Sequence, residues 1–387
     1  MAEHTTTLQP AAAAVVPPAE DRDWVVIFSG TPWAYGAHRQ HALARELTVD
    51  HQVLFVDPAG HLPRWRVQIR QVADGLWQCA GPALLPFGRH LPPVNRVNRW
   101  LAARVLRRWF RRQAASVRLL WLDEDLAAPV ASRLDASAVV YDATDLDWTL
   151  TRPWNRRHLR RALRSAVGAA DLVLASSTAL PDRMPASDPA PVVLANGCDP
   201  DRFSPDGPVA PWLLGLRRPL IGYSGAVDTR AFDADLVAAV ARAHPEWTFV
   251  LIGPSTRGGR APLAGLSNVQ LVDAVGFADV PGILRACDVT IIPYRVGGLA
   301  DYVHPQKCYE YLALGKPVVA TPLPALRALA DTIALATDPP SFGAALADAL
   351  DRAGAPDESA RRREVATRNS WSARGAQLRS LLVGLPR

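Results

Sequence analysis

Lysine is nearly missing from this chain of 387 residues: of 43 basic side chains only Lys307 and Lys316 are lysine, and the rest are arginine. The two exceptions fall close together and single out one segment. Also missing is any apolar run near the roughly 20 residues that cross a bilayer, so no membrane-spanning helix is predicted. Residues 1–22 have neither a basic start nor a compact apolar segment, and the expectation is a disordered tail rather than a signal peptide. The four cysteines, Cys79, Cys198, Cys287 and Cys308, lie far apart. They suggest neither a disulfide framework nor a CxxC metal pair, and a reducing cytoplasm is the expected compartment. No short repeat of the solenoid type is present. Acidic residues are absent from Gly75 to Leu122, a stretch that holds nine arginines. The net charge of +6 is therefore local in origin and needs a local explanation.

What is present points to two packed domains. Hydrophobic residues at 49% against 21% charged can build sizeable cores, and the length suits two units of about 150–200 residues. Short β-branched runs at 24–30, 52–58, 118–122, 138–142, 171–176 and 192–196 alternate with helical patterns from about Ala37 and near 155–169. Continuous apolar strands separated by helices predict a parallel sheet covered on both faces. A proline-rich stretch from Pro200 to Pro219 interrupts the pattern. Alternation restarts with strands at 219–225, 247–253, 268–272, 289–294 and 317–321 and helices at 233–243, 279–286 and 305–314. The expected division is a tail 1–22, an N-terminal Rossmann-like domain 23–205 and a C-terminal one 206–355, with a closing helix 356–387 that returns toward the N-terminal domain. Ligands of open α/β sheets bind outside the carboxyl ends of the strands, which selects the loops 29–38, 142–148, 224–232, 253–262 and 294–306.

The densest motif is HPQKCYEYLALGKPVVAT, His304 to Thr321, which contains both lysines. Pro305 suits the first position of a helix and Gly315 its C-terminal cap. The amides and dipole of such a helix start favour a diphosphate. Lys307 in the first turn suits phosphate. Glu310, one turn later on the same face, suits two ribose hydroxyls, although an ordinary helix-surface pair explains the same two residues.

This segment resembles the (H/N)PxKxYEYLAxGKPVVAT signature of the family-four retaining glycosyltransferases, in the branch with teichuronic-acid-type enzymes. IGYxGA at Ile221–Ala226, WxFVLIGP at Trp247–Pro254 and NGxDxxxF at Asn196–Phe203 are similar too. So are RQxxLAxEL at Arg39–Leu47, VLFVDP at Val53–Pro58, YDxxD at Tyr141–Asp145 and NSWxAR at Asn369–Arg374. The resemblance implies an α/β protein of the GT-B fold, with two doubly wound Rossmann-like domains facing a cleft. It implies transfer of a sugar from a nucleotide-sugar donor, a substrate rather than a cofactor, with retention and without a metal.

Carried over, Glu310 would hold the donor ribose. Lys307, Gly225 and its loop, and Arg230 would face the diphosphate, and Gly253 would let backbone approach the nucleotide. Pro305 and Tyr309 belong to the same donor motif. Many relatives have a second Glu eight positions before Glu310, where this chain has Tyr302; Asp301 and the 297–303 loop are the candidates for contacting the donor sugar instead. In the N-terminal half, Asp142 and Asp145 are candidates to meet the reacting sugar or orient the acceptor, or to cap a turn. His38 is a third candidate, and Gly30 and Trp33 would border the acceptor side. Asp-x-Asp recurs at Asp123, Asp145, Asp199 and Asp233; helix caps and turns account for so many copies without a metal.

On a 3.6-residue wheel Arg104, Arg107, Arg108 and Arg111 share one face of an amphipathic helix. A solvated helix face and docking on an anionic membrane both fit this pattern, whereas arginines without a stacking module give nucleic acid little support. The acceptor stays open between a sugar, a lipid-linked intermediate and a natural product, and the placement between cytoplasmic and peripheral on the inner membrane face. A nucleotide-sugar epimerase or phosphorylase on the same fold, or a degenerate transferase that only binds, are the alternative functions.

Overall fold

The computed structural model describes residues 23–36, 38–58, 67–80, 85–144 and 153–386. In the N-terminal half the chain runs β1 (Trp24–Phe28), α1 (Arg39–Leu47), β2 (Gln52–Val56), β3 (Gln68–Ala73), β4 (Leu76–Ala80), α2 (Pro92–Arg112), β5 (Val117–Leu122), β6 (Ala136–Ala143), α3 (Pro153–Val167), β7 (Leu172–Ala175) and β8 (Val192–Val193). These strands form an eight-stranded sheet of order β3-β4-β2-β1-β5-β6-β7-β8. All its pairings are parallel except the β3/β4 hairpin. That hairpin is absent from the sequence reading, because its edge strand QIRQVA is mostly polar and exposed. Its sign is the Asp74-Gly75 pair, with Gly75 at φ 64° turning the chain, a hairpin signal in its own right.

The C-terminal half contains β9 (Leu220–Ser224), α4 (Ala234–Ala243), β10 (Thr248–Ile252), α5 (Arg257–Arg260), β11 (Val269–Val272), α6 (Val280–Ala286), β12 (Val289–Ile292), α7 (Gln306–Ala313), β13 (Val318–Ala320), β14 (Ala334–Leu335) and α8 (Pro339–Asp351). Its six strands are ordered β11-β10-β9-β12-β13-β14, and every pairing is parallel. This is the doubly wound order whose direction reverses between β9 and β12. In the N-terminal sheet the reversal falls between β1 and β5.

Side-chain alternation builds the layers. In β1, Trp24, Val26 and Phe28 pack with Ala102, Leu106 and Phe110 of α2 on one face of the sheet. Val25 and Ile27 point the other way, to Leu43 and Leu47 of α1. Two helices finish the chain. α9 (Pro356–Arg368) lies against α7, and α10 (Trp371–Leu382) lies against α1. Trp371, Leu378 and Leu382 thereby complete a core that belongs to the N-terminal sheet.

The chain thus crosses between the halves twice, near Gly197 and again near Ser370. The two crossings bond to each other: Cys198 N–H donates to the Asn369 carbonyl at 3.2 Å and Trp371 N–H to the Cys198 carbonyl at 2.8 Å. They approach so closely that a Cβ on Gly197 would lie 3.0 Å from both Asn369 O and Trp371 N. Backbone on both sides cannot yield as a flexible side chain does, so Gly197→Ala should cost about 1–3 kcal/mol. A thermal melt of the variant should show a lowered midpoint; an unchanged midpoint would mean that the crossings are not packed this way.

Candidate functional site

The C-terminal wall forms at the β9/β12 reversal. β9 ends beside Tyr223 and β12 beside Tyr294, and the ammonium of Lys307, in the first turn of α7, reaches down between the two phenols. Lys307 Nζ donates to Tyr294 Oη at 2.7 Å and Tyr223 Oη at 3.3 Å. It also lies 4.9 Å and 4.4 Å from the centres of those two rings, so cation–π attraction adds to the hydrogen bonds. Burial holds the Tyr223 phenol well above its ordinary range, and the cradle is neutral there. Among the described residues no carboxylate lies within ion-pair distance of this ammonium.

Gly225 closes the cradle. At φ 148° it sits where a Cβ would stand 2.2 Å from Lys307 Nζ. Gly253, at φ 138°, serves a different purpose from the expected approach to a nucleotide: its missing Cβ makes room for the Gly225 carbonyl oxygen, which would otherwise be 2.3 Å away. It shapes the Gly225 loop, whose amide donates to the Ile252 carbonyl at 2.8 Å. Arg230 is exposed and lies 3.7 Å from Asp228. Asp228 in turn accepts from the backbone amides of Arg230 and Ala231 and shapes the same loop.

Pro305 stands just before α7 rather than inside it, with φ −71°. Glu310 is buried at 6% exposure and accepts from Gln306 Nε2 at 2.6 Å. Burial pushes its carboxyl up to about 7, against the Gln306 hydrogen bond and the charges of Lys307 and Arg202. Tyr309 stacks on the buried His304 ring, with centroids 5.5 Å apart, and belongs to the seam between the halves. Burial, then the charges of Arg374 and Arg39, take His304 down to about 4, so its ring is neutral. Asp301 accepts from the Gly297 amide at 3.1 Å and closes its own loop. Tyr302 packs on the N-terminal core beneath the Arg183 guanidinium, 5.2 Å from the ring centre, and its carbonyl accepts from Ser177 Oγ.

The N-terminal wall forms at the other reversal, around a cavity of about 120 Å³ lined by Gly30, Thr31, Asp123, Glu124, Asp142 and Thr144. Asp142 stands at the carboxyl end of β6, where the sequence places it, but its carboxylate is buried and clamped by Arg39, 2.9 Å from both Nε and Nη2. Glu124 pairs with Arg99, and Asp125 accepts from the Tyr141 hydroxyl. Asp123 differs from these three. Its Oδ2 accepts from Gly30 N–H at 3.2 Å and from Ser29 Oγ at 3.3 Å, while its Oδ1 is buried without a partner among the described residues. Burial and the neighbouring Asp142 push its carboxyl well above the usual range. Sequence reasoning noted Asp123 only as one of several Asp-x-Asp copies; its place directly after the apolar run of β5, at the carboxyl end of a strand, was the available signal.

The remaining candidates divide. His38 is the exposed residue before α1 and makes no capping hydrogen bond. Trp33 is half-buried, and its ring packs on Phe55 and His41, at 5.0 and 5.3 Å, under Arg45. Asp145 lies outside the described residues.

Residues 218–353, which contain the Lys307 cradle, match the family described as Glycosyl transferases group 1. Over 255 residues the chain is 27% identical to the putative teichuronic acid biosynthesis glycosyltransferase TuaH of Bacillus subtilis (strain 168), covering 60% of this chain and 64% of that relative. The match therefore spans less than two thirds of the relative's length. Sucrose-phosphate synthase from Thermosynechococcus elongatus superposes with a TM-score of 0.70 at 16% identity, covering 93% of this chain and 98% of that one. HepE of Anabaena, in complex with UDP, superposes with a TM-score of 0.64 at 16% identity over 94% of this chain and all of its own. At such identities the likeness concerns the fold, and the two parallel-sheet α/β domains are those of a GT-B protein.

Glu310 gives a pH test. A folded-state carboxyl raised from 4.5 to about 7 binds its proton more tightly than the unfolded chain does. Stability therefore falls as pH rises from about 4.5 to about 7, by on the order of 3 kcal/mol once ionisation is complete. Glu310→Gln cannot ionise, so it should melt above the wild type at pH 8, with the gap closing toward pH 5. Parallel melting curves at both pH values would remove the buried-carboxyl assignment.

Proposed function

We propose that this protein transfers a glycosyl group from a nucleoside diphosphate sugar to an acceptor hydroxyl, with retained anomeric configuration and without a metal ion. The observation that carries the reading is Lys307, an ammonium held by the hydroxyls of Tyr223 and Tyr294 beside Gly225 at the C-terminal reversal point, with no carboxylate partner among the described residues. An enclosed cation of this kind awaits an anion, and the start of α7 adds its dipole and amides. The diphosphate would lie there. Arg230 would supply a second, mobile-armed charge from the rim. Glu310, once ionised, would accept from two ribose hydroxyls.

The acceptor would enter from the N-terminal wall, near Gly30, Asp123 and His38. Asp142, clamped by Arg39, would shape that wall rather than touch the sugar. In the reaction the acceptor oxygen would bond to the anomeric carbon on the same face from which the phosphate oxygen departs, and that oxygen would take the acceptor proton. No enzymic base is then needed, and orientation with exclusion of water supplies most of the advantage. The relatives make UDP the first nucleotide to try. The acceptor class spans a growing cell-surface polymer, a lipid-linked intermediate and a soluble natural product, met on the cytoplasmic side.

The test is ligand-induced stabilisation with UDP, GDP and dTDP and their sugars. One of them should raise stability by about 2.7 kcal/mol at a hundredfold excess over its Kd. Removing either charged partner, in Lys307→Met or Glu310→Ala, should cost about 1.5–3 kcal/mol, about ten- to a hundredfold in affinity. Turnover should survive excess EDTA. The donor-site reading fails if no nucleotide stabilises the wild type, and the metal-free reading fails if EDTA abolishes turnover and Mg²⁺ restores it. Phosphate-dependent turnover, or an isomerised donor without an acceptor, would identify a phosphorylase or an epimerase instead.

A further inference from the structure

The arginine-rich stretch from Gly75 to Leu122 is only part of a larger surface. α2 and α3 both pack on the turn Asp125–Val130. The turn ahead of α2 meets the first turn of α3, with the rings of His90 and Trp154 5.4 Å apart. α3 buries Asn155, Leu159, Leu163, Ala166 and Val167 and turns Arg156, Arg157 and Arg161 to solvent. None of these three arginines has a carboxylate within ion-pair distance among the described residues. α3 contains no acidic residue, and neither does the segment 85–112.

Large apolar side chains stand exposed among these charges. Phe87 is 67% exposed and Trp154 62%, with Leu91, Trp100, Val97 and Leu85 above 40%. A soluble surface rarely gathers such residues. Phe87 also takes φ 66° in a short turn in which the His90 and Leu91 amides donate to its carbonyl. A bulky residue in the left-handed region is costly and points to a role for the exposed ring. Aromatic and aliphatic groups set within unpaired arginines match an interfacial surface, in which the apolar groups enter the headgroup region and the guanidinium groups meet lipid phosphates.

The structure also changes the expected footprint. Arg107 is tied to Asp135 through a bidentate pair, 2.6 and 2.9 Å from Nη2, and contributes little free charge. Arg104 lies over Trp100 at 5.6 Å from the ring centre. Arg107 thus drops out of the expected set, while Arg104, Arg108 and Arg111 stay exposed and α3 adds Arg156, Arg157 and Arg161 to the same basic surface. Arg89, next to Phe87 in this surface, also lines the N-terminal cavity beside Asp123 and Asp142.

We infer that residues 85–91, the first half of α2 and α3 form a docking surface for an anionic lipid bilayer, which holds the N-terminal cavity at the membrane. The inference deepens the proposed function by giving the acceptor as lipid-linked, and it rests on that reading in this respect alone. Binding is measured without nucleotide, so its failure leaves donor binding untouched, and failure of donor binding leaves the surface standing.

The experiment is cosedimentation of the full chain with phosphatidylcholine vesicles with and without phosphatidylglycerol. Wild type should bind the anionic vesicles, release as salt is raised toward and beyond the physiological range, and ignore neutral ones. Each arginine removed should weaken partition about fivefold, so Arg156→Gln/Arg157→Gln/Arg161→Gln should lose about a hundredfold with an unchanged melt. If the triple variant melts lower, Arg156→Gln alone is scored, at about fivefold. Equal binding to neutral vesicles, or undiminished binding of the variants, overturns the inference. Retention on a nucleic-acid duplex at physiological salt without vesicle binding gives the surface to a polynucleotide and overturns it as well.

Discussion

The arrangement of the two halves depends on one buried ion pair and the side chain beside it. Arg39, 4% exposed, clamps Asp142 and also donates to the Leu194 carbonyl at 2.6 Å and to Asn196 Oδ1 at 3.3 Å. Asn196 then donates to the His304 carbonyl at 2.8 Å, just ahead of α7, while Arg374 of α10 reaches the Asn196 carbonyl at 3.4 Å. One network therefore joins β6, α1, the first crossing, the lead-in to α7 and the closing helix α10. Taking two charges out of water is expensive, and leaving one without its partner costs about 3–5 kcal/mol. That penalty fixes Asp142 in place. It also couples the position of α7, and with it Lys307, to the N-terminal sheet.

The two walls solve opposite electrostatic problems. The C-terminal wall keeps a cation without a counter-ion among the described residues, which is tolerable because two phenol oxygens and two ring faces replace its water. The N-terminal wall collects acids at the carboxyl ends of β5 and β6. It satisfies most of them internally, through Arg39, Arg99 and Tyr141, and leaves Asp123 as a carboxyl held toward its neutral form. On the proposed function, a dianionic group would be drawn to one wall and a hydroxyl-bearing group accommodated by the other. Across the outer side of the N-terminal wall, α2 and α3 carry the chain's surplus of positive charge. The surplus is therefore segregated from the cavity, with Arg89 at the border between them.

Much of the architecture was legible because parallel strands buried on both faces write themselves as apolar runs. β1, β2, β5, β9, β10 and β12 were placed within a residue or two, and the strand-end loops followed. The positions of Lys307 and Gly225 were legible for a related reason: a helix start and a strand end bring them to one reversal point, and the scarcity of lysine drew attention to the motif. The β3/β4 hairpin was not legible by the same rule, since an exposed edge strand need not be apolar. The closing helix expected over 356–387 divides at Asn369–Ser370 because the chain must leave α7 and return to α1 at that point.

The sequence by itself determined which segments form strands and helices, that they make two doubly wound units, and that Lys307 stands in the first turn of the helix after β12. These are local properties: periodicity, helix ends and the spacing of a few residues on one turn. Only the tertiary structure decided that Asp142 is spent on Arg39, that Gly253 serves Gly225, that Trp33 and Tyr309 face packed rings, and that Asp123 is left with an oxygen unpartnered among the described residues. It likewise decided that α3 shares a surface with α2. Each of these outcomes depends on which partner lies across the fold, often more than a hundred residues away, as Arg39 does from Asp142 and from Asn196. Local pattern carries no record of which partner that will be.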